Sequence, residues 1–148
     1  MRYVHHQVTL SEIPGHLMMA LSISGCPLRC EGCHSPELWN PRNGKELHLE
    51  QYDAWWIQYG DHLDGICFLG GDHDPELITH LAYIKRRGWL TALYTGAPWE
   101  GISPDIKARL DFIKCGPYVQ SLGGLDSPTT NQYLLDLRTN QYLLGNKP

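Results

Sequence analysis

The sequence has little of what marks a membrane, secreted or nucleic-acid-binding protein. No apolar run approaches the roughly 20 residues that a membrane helix needs. The opening residues Met1-Arg2-Tyr3-Val4-His5-His6-Gln7 lack the apolar centre of a signal peptide, so a cytoplasmic chain is expected. The formal charge of −4 provides no global basic field. Neither direct nucleic-acid binding nor an anionic membrane surface is therefore expected as a partner. A framework of paired cysteines is missing too: there are five, an odd number, and three fall within eight residues. That pattern points to metal or redox chemistry rather than secreted disulfides. At 148 residues the chain suits a single domain, 1–148, able to build a core without cross-links.

The three clustered cysteines, Cys26, Cys30 and Cys33, follow the apolar-rich run Leu17 to Ile23 and the hinge Ser24-Gly25. Their C-x-x-x-C-x-x-C spacing lets a short loop curl its thiolates around one inorganic centre. A structural zinc would need a fourth ligand. His34 is too close in sequence to Cys33 to turn readily onto the same ion, and no second C-x-x-C exists. A plain electron-transfer cluster would want a fourth cysteine, whereas Cys67 and Cys115 fall within or at the end of apparent strands and read as small core residues. The third reading is a four-iron cluster with one iron free of protein ligands.

Along the chain, His16 to Ser24 reads as a largely buried strand that delivers the cysteine loop. The spacing of Leu49, Tyr52, Trp56 and Tyr59 predicts a helix over 49–59. Gly65 to Leu69 reads as a second strand, ending in Gly70-Gly71-Asp72. Asp74-Pro75 then caps a helix with Leu77, Ile78, Leu81 and Ile84 inward and a solvated basic end, Lys85-Arg86-Arg87. A third strand is expected over Trp89 to Thr95, a short helix from Ser103 to Leu110, and a fourth strand over Asp111 to Cys115. This alternation predicts an α/β fold with a mainly parallel sheet, whose carboxyl edge gathers the loops at Cys26–Cys33, Gly70–Asp72 and Thr95-Gly96. The segment Thr130 to Leu135 (TNQYLL) recurs as Thr139 to Leu144. Two copies are too few for a solenoid and predict only two similar short elements.

Cys26-x-x-x-Cys30-x-x-Cys33 resembles the cluster motif of radical S-adenosylmethionine (SAM) enzymes, and Gly70-Gly71-Asp72 resembles their Gly-Gly-Glu/Asp motif. Ser24-Gly25, Trp39, Tyr94-Thr95-Gly96 and Ser127 to Gln132 extend the likeness over nearly the whole chain, toward the activating proteins of anaerobic ribonucleoside-triphosphate reductases. The resemblance implies a short, partly open radical-SAM-type (β/α) barrel. It implies a [4Fe-4S] cluster on Cys26, Cys30 and Cys33, with SAM chelating the open iron. Gly32, Cys33 and His34 would lie against SAM, Gly70 and Gly71 would admit its methionine end, and Asp72 would help hold its ammonium. It further implies a glycyl-radical reductase subunit as protein substrate and a low-potential electron donor such as flavodoxin or ferredoxin. Cys115 stands where relatives often have an acidic residue.

Overall fold

The computed structural model describes residues 1–148 as one eight-stranded sheet with all three α-helices on one side. The strands are β1 (Arg2–Thr9), β2 (Met18–Ile23), β3 (Lys45–Glu46), β4 (Gly65–Leu69), β5 (Leu90–Tyr94), β6 (Phe112–Cys115), β7 (Tyr133–Asp136) and β8 (Gln141–Gly145). The helices are α1 (Leu49–Tyr59), α2 (Leu77–Arg86) and α3 (Pro104–Lys107). No helix is long and apolar enough to cross a membrane.

The strand order is β3-β1-β2-β4-β5-β6-β7-β8, an open series. Its centre, β2-β4-β5-β6, is parallel, as the alternation predicted, because α1, α2 and α3 supply crossovers long enough to return each strand to the same edge. The flanks correct the expectation of a mainly parallel sheet. Three pairings are parallel and four are antiparallel, and the sheet does not close into a barrel. The connections β1–β2 and β7–β8 carry no helical crossover, so those strands can return only antiparallel. The sequence reading missed β1 because its middle, His5-His6-Gln7, is exposed and polar. The TNQYLL repeat has a simple origin: its two Tyr-Leu-Leu triplets form β7 and β8, the arms of one hairpin.

Alternation along each strand divides the core. Ile66 and Phe68 of β4 face the helices, where they meet Leu77, Leu81 and Ile84 of α2 and Tyr52 and Trp55 of α1. Cys67 points the other way, into a smaller cluster with Ile13, Met18, Ala92, Phe112 and Leu134. No helix covers this second face. Ile13 of the β1–β2 connection and Leu125 of the β6–β7 connection close it instead. Helix α1 matches its predicted bounds, and Ser103 caps α3 by accepting from Ile106 N at 3.2 Å. The end of α2 is not simply solvated: Lys85 pairs with Asp111 at 2.9 Å and Arg87 pairs with Asp53. His80 of α2 is 4% exposed and meets the Tyr52 hydroxyl at 2.8 Å, and burial lowers its pKa.

The parallel centre depends on close backbone approach at Gly65, where an added Cβ would lie 2.2 Å from the carbonyl oxygen of Leu90. Gly65→Ala must push β4 from β5, and we expect it to cost roughly 1–3 kcal/mol or more. A shift in the urea midpoint reads this out. An unchanged midpoint would show that the two strands part there without penalty.

Candidate metal centre

Strand β2 ends at the buried Ile23, and the chain turns through Ser24 and Gly25 into the cysteine loop. The carbonyl of Leu38 pins the entry, accepting from Gly25 N at 2.7 Å and Cys26 N at 3.0 Å. Gly25 has φ +89, and a Cβ there would press to 3.1 Å from His73, so glycine suits both the turn and the space. Within the loop, Cys33 N donates to Cys30 O at 3.1 Å, tightening the second half into a turn. Ser35 N donates to Cys33 Sγ at 3.4 Å, the kind of hydrogen bond that stabilises a thiolate ligand. Arg29 is held at φ +47 with its guanidinium over the Trp39 ring.

Cys26, Cys30 and Cys33 are free thiols of intermediate exposure, and all three open onto one cavity of about 520 Å³. His34 and Gly70 open onto the same space. Gly32, Gly71 and Asp72 do not line it. Gly32 sits beneath the Gln120 side chain, and a Cβ on Gly71 would touch Ile23. Asp72 is half-buried, and its charge acts on the buried Cys115 thiol. No three His, Cys, Asp or Glu side chains converge as ligands of a single ion. The three thiols instead flank a common space, an arrangement suited to a multinuclear cluster.

Strand register explains the opposite wall. Ser22, Leu69, Tyr94 and Lys114 are successive partners across β2, β4, β5 and β6, and in-register neighbours share a face. That face is the one without helices, so Leu69, Tyr94 and Lys114 all line the cavity. Cys115, one residue on, points to the opposite face and joins the main core. Burial raises its thiol pKa, and burial does the same for Cys67. Neither thiol lines the cavity, which supports their reading as core residues.

Lys114 is the residue the sequence reading passed over. Burial lowers its ammonium pKa to about 8, and its contacts are long, 3.5 Å to each of the Thr95 and Gly116 carbonyls. It makes no ion pair with any carboxylate. A lone lysine inside the apolar strand Phe112–Cys115 was the available signal, but only the register shows where it points. A larger cavity of about 830 Å³ lies behind the loop, lined by Gly25, His73, Asp74 and His80, and none of the three clustered cysteines opens onto it.

The thiols, the glycine turn and the open sheet edge define an iron–sulfur domain, and sequence comparison agrees. Residues 14–134 match the 4Fe-4S single cluster domain family, and the chain belongs to it. It is similar to the pyruvate formate-lyase-activating enzyme of Clostridium pasteurianum, 34% identical over 96 residues, 60% of this chain and 40% of that protein. It is also similar to the anaerobic ribonucleoside-triphosphate reductase-activating protein of Enterobacteria phage T4, 26% identical over 116 residues, 70% of this chain and 72% of that protein. The chain thus spans less than half of the first relative and nearly three quarters of the second.

The weakly partnered ammonium of Lys114 is a stability cost in the cluster-free chain. Lys114→Met, of similar length and without charge, should raise stability by about 1–2 kcal/mol. Urea unfolding of the metal-free protein checks this. A loss of stability would mean that the ammonium anchors the surrounding loops.

Proposed function

We propose that this protein is a radical SAM activating enzyme that generates a glycyl radical on an anaerobic ribonucleoside-triphosphate reductase. The observation that carries the reading is that three free thiols share one cavity with Gly70 at the carboxyl edge of the parallel strands, while the other two cysteines are buried elsewhere. A [4Fe-4S] cluster on Cys26, Cys30 and Cys33 leaves one iron without a protein ligand. Given SAM and one electron, a cluster held there would supply reductive cleavage of the sulfonium C–S bond, to methionine and a carbon radical able to take hydrogen from a glycine.

The chain's own residues position and shield this chemistry. Gly70 has φ +87, and a Cβ placed there would meet only the Ile23 carbonyl, at 3.6 Å, so its backbone is open to the methionine end of SAM. Gly71 gives the same turn its second left-handed residue. Cys33 and His34 lie on the cysteine side of the site, while Gly32 and Asp72 sit outside the cavity lining, so the Asp72 carboxylate would reach the SAM ammonium only after the turn at Gly70-Gly71 shifts. Lys114 supplies the cation for the SAM carboxylate, a partner that offsets its desolvation. Leu69, Tyr94 and Leu125 give the cavity an apolar wall that limits water. A low-potential flavodoxin or ferredoxin in the cytoplasm completes the reading as electron donor.

A second reading, activation of pyruvate formate-lyase, draws on the 34% identity to the clostridial enzyme. The likeness to the phage protein covers 72% of that protein, against 40% for the clostridial one, and this broader match supports the reductase.

Anaerobic reconstitution should load about four irons per chain. SAM with a low-potential reductant should then yield 5′-deoxyadenosine, and addition of the partner reductase should give a glycyl-radical EPR doublet. Cys30→Ala should abolish the cluster, Cys67→Ala should keep it, and Lys114→Met should weaken SAM binding roughly tenfold. Tight zinc binding without SAM cleavage, or loss of iron in Cys67→Ala, would overturn the assignment.

A further inference from the structure

The connection from Gly116 to Gln132 roofs the cavity and is built as a unit. Its backbone folds on itself, with Leu122 N and Gly123 N both donating to Val119 O, at 2.9 and 3.0 Å. Side chains lock the interior: Ser127 Oγ donates to Leu122 O at 2.8 Å and Thr129 Oγ1 to the same oxygen at 2.7 Å. Two amide side chains tie its ends to each other, Asn131 Nδ2 to Pro117 O and Gln132 Nε2 to Gly116 O, each at 3.1 Å, and Asn146 Nδ2 beyond β8 anchors the same base through Pro128 O at 3.1 Å and Thr130 O at 2.7 Å. Gly116, at φ +108, makes the turn out of β6.

The contacts across the cavity are of a different kind. No hydrogen bond joins residues 117–131 to the cysteine loop. The roof rests there on side-chain packing: Gln120 over Gly32, close enough that a Cβ on Gly32 would stand 2.8 Å from its amide carbon, and the Tyr118 ring against His34 at 5.3 Å. Leu125 packs against the second core from above. A segment rigid within, tied at its base and held at its tip by van der Waals contact alone can separate from its neighbour without breaking a hydrogen bond at that face.

We propose that residues 117–130 form a pre-folded flap that swings off the cysteine loop to admit a segment of the substrate protein and closes through Tyr118 and Gln120. This inference rests on the activase reading above for its substrate, though the motion itself is a property of the chain alone. A cavity of about 520 Å³ that must hold a cluster and SAM leaves little room for a peptide beneath a closed roof. The apolar underside, Tyr118 and Leu125, faces Leu69 and Tyr94 and suits an extended backbone around a glycine, where no side chain needs space. Closure over SAM alone would keep water from the site, and opening would couple access to the arrival of the partner.

The test is 19F NMR of the metal-free 148-residue chain carrying 3-fluorotyrosine, with the Tyr118 resonance identified by Tyr118→Phe. Tyr118 should show microsecond-to-millisecond exchange broadening while the fully buried Tyr52 stays sharp. Gln120→Ala should at least double the exchange contribution, with Tyr52 unchanged as the check on folding. A Tyr118 line as sharp as that of Tyr52, indifferent to Gln120→Ala, would make the roof a fixed wall and overturn the flap. SAM titration of the iron-loaded chain separates the two ideas. Binding beneath a rigid roof keeps the activase reading and removes the flap, whereas a mobile Tyr118 without SAM binding does the reverse.

Discussion

The parallel register of β2, β4, β5 and β6 is the constraint on which the site depends. Because these strands run in one direction and in step, Ser22, Leu69, Tyr94 and Lys114 form one row, and the next residues of all four strands emerge at the same edge. The cysteine loop leaves from the end of β2 and the glycine turn from the end of β4, so they are neighbours although far apart in sequence. A shift of one residue in β6 would exchange Lys114 for Cys115 on the cavity face and turn the ammonium into the helical core. The apolar faces of Phe112 and Ile113, buried on opposite sides, hold that register.

Lys114 shows how such a site trades against stability. Burial disfavours its charge, and the fold offers it only long carbonyl contacts and the Tyr94 ring, 5.8 Å away. A buried ammonium without a counter-ion is destabilising unless something else occupies the site. Under the proposed reading, three cluster thiolates and the carboxylate of a bound ligand would be the anions that this cavity receives. Ligand binding would thus restore a local charge balance that the empty protein lacks, and the strain would sit where the chemistry is.

Much of this was legible in the sequence because the signals were local. Helix α1, strand β4 and the cap at Ser103 follow from short-range periodicity and capping, and Cys26 to Cys33 is a motif within one loop. What escaped was set by pairing. Strand β1 presents His5, His6 and Gln7 to solvent and has no apolar alternation to betray it. The TNQYLL repeat became meaningful only as a hairpin, when Leu134 was seen opposite Leu144. Lys114 looked like any strand lysine until its face was known. The antiparallel flanks, too, arise from connections that lack helices, and the local pattern of the central strands says nothing about them.

The missing helical cover on the second face is the remaining physical question, and it bears on how the proposed protein substrate would reach the site. A helix over that face would seal the cavity with backbone hydrogen bonds satisfied internally and an apolar stripe pressed onto Leu69 and Tyr94. Two loops do the sealing instead, one through Ile13 and one through Leu125 and Tyr118. Such a cover buries enough to keep the cavity closed but far less apolar surface than a helix, so parting it costs far less as well. The β7–β8 hairpin terminates the sheet where a closed barrel would need further strands. The thin roof lies over the same cavity as the thiols. For the proposed polypeptide substrate, that is the side on which access would be provided.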